Sequence, residues 1–295
     1  MPRIAIFGGT GYLSSLIRNQ NNIKKNNYTF FSRKKNSKNY INFAAYKKNV
    51  NILKNYDFII HLAGPNQIQL KSNKTLLKKK NQITSRICDL CLANNIKLIY
   101  LSTMQVYKNY GLNNISINSK VNFNNVYSKL HLESEKIIFK KFLNYKEMFT
   151  VLRMGNVFGL KKCNSIKDVR SNLIHNLCLK AFKKKNILIN NGSIQRTFVP
   201  SQIFVKVINL IIKKNLFNNS IENISYKNLN LKEIANIIQK RINILFKFNV
   251  KVIIKKFKYK KVFNICSGKY FKFNLNDKKI YFEIDQILKC IKKIQ

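Results

Sequence analysis

Three short stretches carry side chains that could do chemistry. Gly8-Gly9-Thr10-Gly11-Tyr12-Leu13 follows an apolar run at the start of the chain and precedes a helical one. Glycines in that position let backbone N–H groups and a helix N-terminus come close to a pyrophosphate. A second stretch, Leu101-Ser102-Thr103-Met104-Gln105-Val106-Tyr107, closes another apolar run, and Tyr127-Ser128-Lys129-Leu130-His131-Leu132-Glu133 comes soon after it. If the latter is helical, Tyr127 and His131, four apart, share a face, whereas Tyr127 and Lys129, two apart, point to nearly opposite sides. A phenol, an imidazole and a threonine hydroxyl could then converge for proton transfer.

These residues need a scaffold that brings strand ends together. Residues 3–7 read as a buried strand, and the glycine turn opens a helix through about Asn19. Strands are expected over 28–32, 57–62 (ending His61-Leu62-Ala63-Gly64), 97–102 and 148–154, with helices over 76–93 and 127–142. Alternating strand and helix implies a parallel sheet covered on both faces, and right-handed crossovers put the motif-bearing strand ends on one edge. Beyond Phe158 the regularity weakens, with helices expected over 173–180, 200–212, 231–244 and 281–291. Residues 1–158, with 187–213 returning to them, should form a cofactor domain, and 159–186 with 214–295 a smaller lobe.

On these motifs the chain resembles the extended short-chain dehydrogenase/reductase family, the NAD-dependent epimerases and dehydratases that modify nucleotide sugars. The resemblance implies an α/β fold: a Rossmann-type doubly wound parallel sheet with a smaller C-terminal substrate lobe. It assigns cofactor contacts to Gly8, Thr10, Gly11, Tyr12 and Leu13, and to Leu62, Ala63 and Gly64. Ser14 departs from the family's third glycine, which serves close helix packing, so slight strain is expected there. Thr103 matches the hydroxyl that hydrogen-bonds the reacting sugar oxygen, and Tyr127 the acid/base. The family pairs that tyrosine with a lysine one helical turn on, which lowers a phenol pKa that is ordinarily about 10. Here the position is His131. A second register would use Lys129 but would leave Asn125 where the tyrosine belongs, and the same-face rule selects Tyr127 with His131. A histidine near its ordinary pKa of about 6.5 supplies only part of a charge at neutral pH, so slower or pH-shifted catalysis is expected.

The same resemblance offers Asn156, in Leu152-Arg153-Met154-Gly155-Asn156-Val157-Phe158-Gly159, and Arg196, in Gly192-Ser193-Ile194-Gln195-Arg196-Thr197-Phe198, as substrate-binding residues. A planar guanidinium suits bidentate recognition of a diphosphate. Thr197 stands where an Asp is usual. The second strand ends in Ser32-Arg33-Lys34 with no carboxylate for a ribose hydroxyl, and Arg33 could pair with a 2′-phosphate, so NADP is favoured over NAD. Family 4,6-dehydratases carry Asp-Glu after the catalytic Ser/Thr, and this chain has Met104-Gln105, which leaves epimerisation or reduction. Two alternatives stay open: a catalytically inactive NADP-binding sensor or scaffold, and an RNA-binding member of the same fold. A homodimer through two helices of the cofactor domain is a family-level expectation.

Composition bounds the rest. A net charge of +45 would attract any polyanion. The basic residues are mostly Lys, however, spread evenly among Asn and Ile, and the richest runs (78–80, 183–185, 255–261) are short and separate, reading as solvated surface rather than a nucleic-acid arm. Six scattered cysteines in so long a chain read as reduced and structural. Cys88-x-x-Cys91 has no second pair at zinc-ligand spacing, so no metal site is expected. No apolar stretch approaches the ~18 residues of a membrane span and no signal segment precedes the first strand, so a cytoplasmic protein away from membranes is expected.

Overall fold

The computed structural model describes residues 1–19, 27–32, 41–42, 53–66, 69–70, 75–108, 114–123, 125–160, 172–258, 265, 267–268, 270–271 and 273–294. In chain order these form β1 (Arg3–Phe7), α1 (Tyr12–Asn19), β2 (Asn27–Ser32), β3 (Ile41–Asn42), β4 (Phe58–His61), α2 (Thr75–Ala93), β5 (Lys97–Thr103), α3 (Val126–Lys141), β6 (Phe149–Met154) and β7 (Asn156–Phe158). There follow α4 (Leu173–Lys184), β8 (Asn186–Ile189), β9 (Gln195–Pro200), α5 (Ser201–Lys214), β10 (Ser220–Ile224), β11 (Lys227–Asn230), α6 (Leu231–Phe246), β12 (Lys251–Ile254) and α7 (Asp277–Ile294). Among the described residues no helix is long and apolar enough to cross a membrane.

The chain divides into two compact units. The first, Met1–Lys108, Ile117–Met154 and Val207–Asn223, holds most of a seven-stranded sheet of order β10-β6-β5-β4-β1-β2-β3. From β3 through β6 every pairing is parallel. This is the doubly wound order, with its switch point at β1 and β4, the place where sheets of this kind bind ligands beyond the strands' carboxyl ends. The buried runs of β1, β4 and β5 pack on α2 and α3 through Phe7, Ile59, Tyr100, Ile87, Cys88, Cys91, Ile138 and Phe142, all essentially without solvent exposure. Strands buried on both faces read as continuous apolar runs, which is why they were legible as sequence.

The segment that returns to this sheet is Val207–Asn223, where the sequence pattern suggested 187–213. Residues 186–200 instead make β8 and β9 of the second unit. The return is fastened by the Thr150 hydroxyl donating to the Leu216 carbonyl at 2.5 Å, by Asn219 accepting from the Met148 and Phe149 amides, and by Phe58 stacking on Phe217 at 5.4 Å.

The second unit, Asn109–Ser116, Gly155–Lys206 and Ile224–Gln295, contains a three-stranded sheet of order β11-β9-β7 and a parallel pair β12-β8. Helix α6 starts with a reciprocal capping box between Asn230 and Glu233, and Arg241 on it grips Asp285 of α7 bidentately at 2.7 and 2.6 Å.

Candidate active site

The turn after β1 is built around close backbone approach. Gly8 has φ +99°, and a Cβ on it would meet the Ala63 nitrogen at 2.8 Å. A Cβ on Gly9 would strike Phe30 at 2.8 Å. Both positions therefore admit only glycine, because the turn threads between the ends of β2 and β4. Gly8 and Gly9 both donate to the Phe31 carbonyl, and Leu62 donates to the Phe7 carbonyl at 2.8 Å, so β2, the turn and the Leu62-Ala63-Gly64 segment form one surface. Thr10 and Gly11 are exposed at its tip, while Tyr12 and Leu13 open α1. Ser14 is not a point of strain. Its buried hydroxyl lies 2.8–2.9 Å from the carbonyls of Gly8, Gly9 and Gly11 and closes the turn from below. Arg33 lies outside the described residues.

Helix α3 begins with Asn125 as its N-cap, whose side chain accepts from the Ser128 amide at 2.9 Å while Ser128 Oγ accepts from the Asn125 amide. In the alternative register Asn125 is the helix cap, and Lys129 lies 3.9 Å from Glu133 and over the Phe123 ring. Tyr127 stands in the first turn, and His131, one turn on, meets it edge to face with ring centroids 4.7 Å apart. His131 Nδ1 is 2.9 Å from the hydroxyl of Tyr100, a fully buried residue of β5. Thr103 ends β5, nearly buried, and its Oγ1 accepts from the Gln105 amide at 3.3 Å, so its hydroxyl hydrogen takes no part in that bond.

Both members of the pair are only partly open to solvent, and the mass of protein around them decides their titration. Burial pushes the Tyr127 phenol up to about 12. Burial first, then the nearby Lys80, bring His131 down to about 3. His131 is thus a neutral imidazole at physiological pH, which corrects the expectation of a half-charged one.

The sequence reading missed three charged residues around this pair. Lys80 belongs to the lysine run 78–80, which reads as surface in the sequence, yet it is only 2% exposed while Lys78 and Lys79 face solvent. It donates to the Ala63 carbonyl at 2.6 Å, lies 3.0 Å from His61 Nε2 and sits over the Tyr100 ring. The signal was available in the spacing, because Lys80, Thr84, Ile87, Cys88 and Cys91 form one buried helical stripe. Glu135 and Arg153 form a second cluster. Both are buried, joined at 2.7 and 3.2 Å, with the Ser102 hydroxyl donating to Glu135 and the Arg153 guanidinium over Tyr107. The Tyr107 hydroxyl donates to Asn223 at 2.7 Å.

In the second unit Asn156 Nδ2 donates to the Thr197 carbonyl at 3.1 Å, tying β7 to β9, and Arg196 on β9 donates to the adjacent Gln195 carbonyl at 2.8 Å. Cys88 and Cys91 are buried thiols, and burial raises both, Cys88 to about 12.

The family model for the NAD dependent epimerase/dehydratase family matches residues 4–225. The chain belongs to this family. It is an epimerase/dehydratase-family enzyme with the extended short-chain dehydrogenase fold. Solved structures similar to it include a UDP-N-acetylglucosamine 4-epimerase from Methanobrevibacter ruminantium M1 in complex with UDP-N-acetylmuramic acid, 18% identical, covering 100% of this chain and 99% of that one with a TM-score of 0.78. A UDP-glucuronic acid 4-epimerase from Bacillus cereus in complex with NAD is 13% identical over 99% and 97% of the two chains, TM-score 0.77. A dTDP-glucose 4,6-dehydratase from Bacillus anthracis, also in complex with NAD, is 14% identical over 99% and 97%, TM-score 0.74. At such identities the likeness carries the fold. No curated protein matches the chain's sequence.

An epimerase/dehydratase of this family is NAD(P)-dependent, and the residues present fit a dinucleotide. Gly8 and Gly9 let the turn pack against Ala63 and Phe30 more closely than any side chain would allow, and Thr10 and Gly11 are exposed at its tip. The first amides of α1 precede any intrahelical carbonyl, and Ser15 is already bonded to Gly11, so the helix N-terminus faces the turn as an anion-binding end.

Proposed function

We propose that the protein is an NAD(P)-dependent epimerase or reductase of a nucleotide sugar, working through Tyr127, His131 and Thr103. The observation that carries this reading is the contact of Tyr127 with His131 on the capped first turns of α3, locked to β5 by Tyr100. When bound, the nicotinamide takes hydride from a sugar carbon or returns it. Tyr127 Oη donates its proton to the sugar oxygen in the reducing direction, for which its high pKa keeps the phenol protonated, and takes the sugar hydroxyl's proton in the oxidising direction only as the less populated phenolate. Thr103 donates its free hydroxyl hydrogen to the same sugar oxygen. His131 supplies a neutral imidazole beside the phenol where the family carries a lysine. Asn156 and Arg196 are the proposed substrate contacts, and Gly8, Thr10, Gly11, Tyr12, Leu13, Leu62, Ala63 and Gly64 the proposed cofactor contacts.

NADP is proposed over NAD because Ser32-Arg33-Lys34 offers no carboxylate to a ribose hydroxyl. Met104-Gln105 after Thr103 favours epimerisation or reduction over dehydration. The free thiols of Cys88, Cys91, Cys178 and Cys290 suit a reducing compartment such as the cytoplasm.

The test is native mass spectrometry of the purified protein for retained NAD or NADP, followed by incubation with UDP-N-acetylglucosamine, UDP-glucose and UDP-glucuronic acid and separation of the products. An epimer, or a reduced sugar formed at the expense of NAD(P)H, supports the reading. A cofactor-loaded protein that leaves all three unchanged counts against it.

A further inference from the structure

Lys80 stands out among the described residues as a buried ammonium with no carboxylate partner among them. Its contacts are the Ala63 carbonyl at 2.6 Å, His61 Nε2 at 3.0 Å and the face of Tyr100, 4.9 Å from the ring centre. A solitary charge in such a place is expensive unless neighbouring dipoles and π faces hold it, and the protein's interior here offers several. His61 turns Nε2 to Lys80 and Thr84, which leaves Nδ1 buried without a hydrogen-bond partner. A buried imidazole with an orphaned nitrogen is a further cost, borne for the sake of the lysine.

From Lys80 the contacts run directly into the proposed catalytic pair. The ammonium lies over Tyr100, Tyr100 Oη is 2.9 Å from His131 Nδ1, and His131 meets Tyr127 at 4.7 Å. Tyr100 holds its phenol proton firmly because burial raises its pKa well above the ordinary value. The Tyr100 hydroxyl also bonds Ser134 and is able either to donate to Nδ1 or to accept from it; where it donates, the imidazole proton is carried on Nε2. A cation on the ring face draws electron density from the phenol and strengthens it as a donor.

We infer that Lys80 is a positioning residue of this site: its ammonium polarises Tyr100 and so fixes His131 as a neutral imidazole with its proton on Nε2, the donor that replaces the family's lysine beside Tyr127. This rests on the reading of Tyr127 and His131 as the working pair. The positive charge missing from α3 enters from α2 instead, acting through two aromatic rings rather than by contact. Burial brings Lys80 down to about 7, so its charge is present below that pH and lost above it. The groups facing it are His61 on β4, Tyr100 on β5, His131 on α3 and Cys88 on α2, all neutral at that pH.

The chain has only three histidines, so ¹⁵N-histidine NMR of the full-length protein can follow His131 directly, with His131→Gln for assignment. The wild-type His131 should show the Nε2–H tautomer, and its Nδ1 signal should move as Lys80 titrates near 7. In Lys80→Met the tautomers should mix and the His131 protonation midpoint should rise by about one pH unit or more. Tyr100→Phe should scramble the tautomer in the same way. An Nδ1–H tautomer in the wild type, a wild-type signal indifferent to pH across the Lys80 titration, or a Lys80→Met spectrum like the wild type's would overturn the inference. If Lys80→Met does not fold, the wild-type titration and Tyr100→Phe decide alone. Tyr127→Phe turnover separates this inference from its premise: expected NMR behaviour with full Tyr127→Phe activity would sink the functional reading and the positioning role with it, leaving only the coupling of Lys80 to the His131 tautomer.

Discussion

Replacing Glu135 with leucine should destabilise the protein severely, and removing Arg153 as well should undo most of the damage. Glu135 and Arg153 are 3% and 4% exposed and share two contacts at 2.7 and 3.2 Å. Without the carboxylate, the guanidinium keeps the face of Tyr107 at 4.8 Å, and the Ser102 hydroxyl loses its acceptor. Breaking a buried pair from one side costs about 3–5 kcal/mol because an uncompensated charge is left behind. With about 2–4 °C of Tm per kcal/mol for a chain of this size class, Glu135→Leu should melt roughly 6–20 °C below wild type. Glu135→Leu/Arg153→Met leaves no stranded charge and should recover to within about 2 kcal/mol of wild type. Thermal unfolding followed by circular dichroism reads all three proteins. A single variant within about 3 °C of wild type, or a double variant no better than the single, would show that the pair is not the keystone between β5, α3 and β6.

Gly8→Ala forces a Cβ against the Ala63 backbone at 2.8 Å and a side chain into φ +99°, so native mass spectrometry should find the cofactor lost. Tyr127→Phe should lower turnover by about 10²-fold or more while retained NAD(P) is unchanged by the same measurement. His131→Ala should abolish turnover and His131→Lys retain it, since lysine restores the family's own pattern; equal activity in both would remove His131 from the mechanism. Lys80 is brought down to about 7 from an ordinary 10.5, so between those values the unfolded chain binds the extra proton and stability should rise with pH. Denaturant titrations should show this slope, at most roughly 1.4 kcal/mol per pH unit, and Lys80→Met should flatten it.

The cofactor half of the fold could be read from sequence because β1, β4, β5 and β6 are buried on both faces and therefore written as apolar runs, and because Gly8 and Gly9 answer to backbone clashes that no other residue survives. Strands β10 and β11, Ser-Ile-Glu-Asn-Ile and Lys-Asn-Leu-Asn, are short and polar, with no alternation to reveal them, and β8 pairs in parallel with a segment some sixty residues away, at β12. The contact of Tyr127 with His131 follows from their four-residue spacing on one helix, while the role proposed for them came from the family resemblance. The pair's electrostatics were not legible, because burial depends on which elements close over the helix, and that decided both the neutral imidazole and the high phenol pKa. Lys80 escaped notice for a different reason: in so lysine-rich a chain a Lys-Lys-Lys run looks like surface, and only the buried stripe through Thr84, Ile87 and Cys88 marks its third member as interior. Glu135, one of only 11 acidic residues, was a rarer signal left unused.

The most direct measurement is a single-turnover absorbance trace of the reduced nicotinamide when protein loaded with NAD(P)⁺ is mixed with each nucleotide sugar, for wild type and Tyr127→Phe side by side. Hydride transfer under the control of Tyr127 predicts a transient rise in wild type with at least one sugar, and none in Tyr127→Phe although it carries the same cofactor. A flat wild-type trace across the sugars, or an equal rise in both proteins, would contradict it.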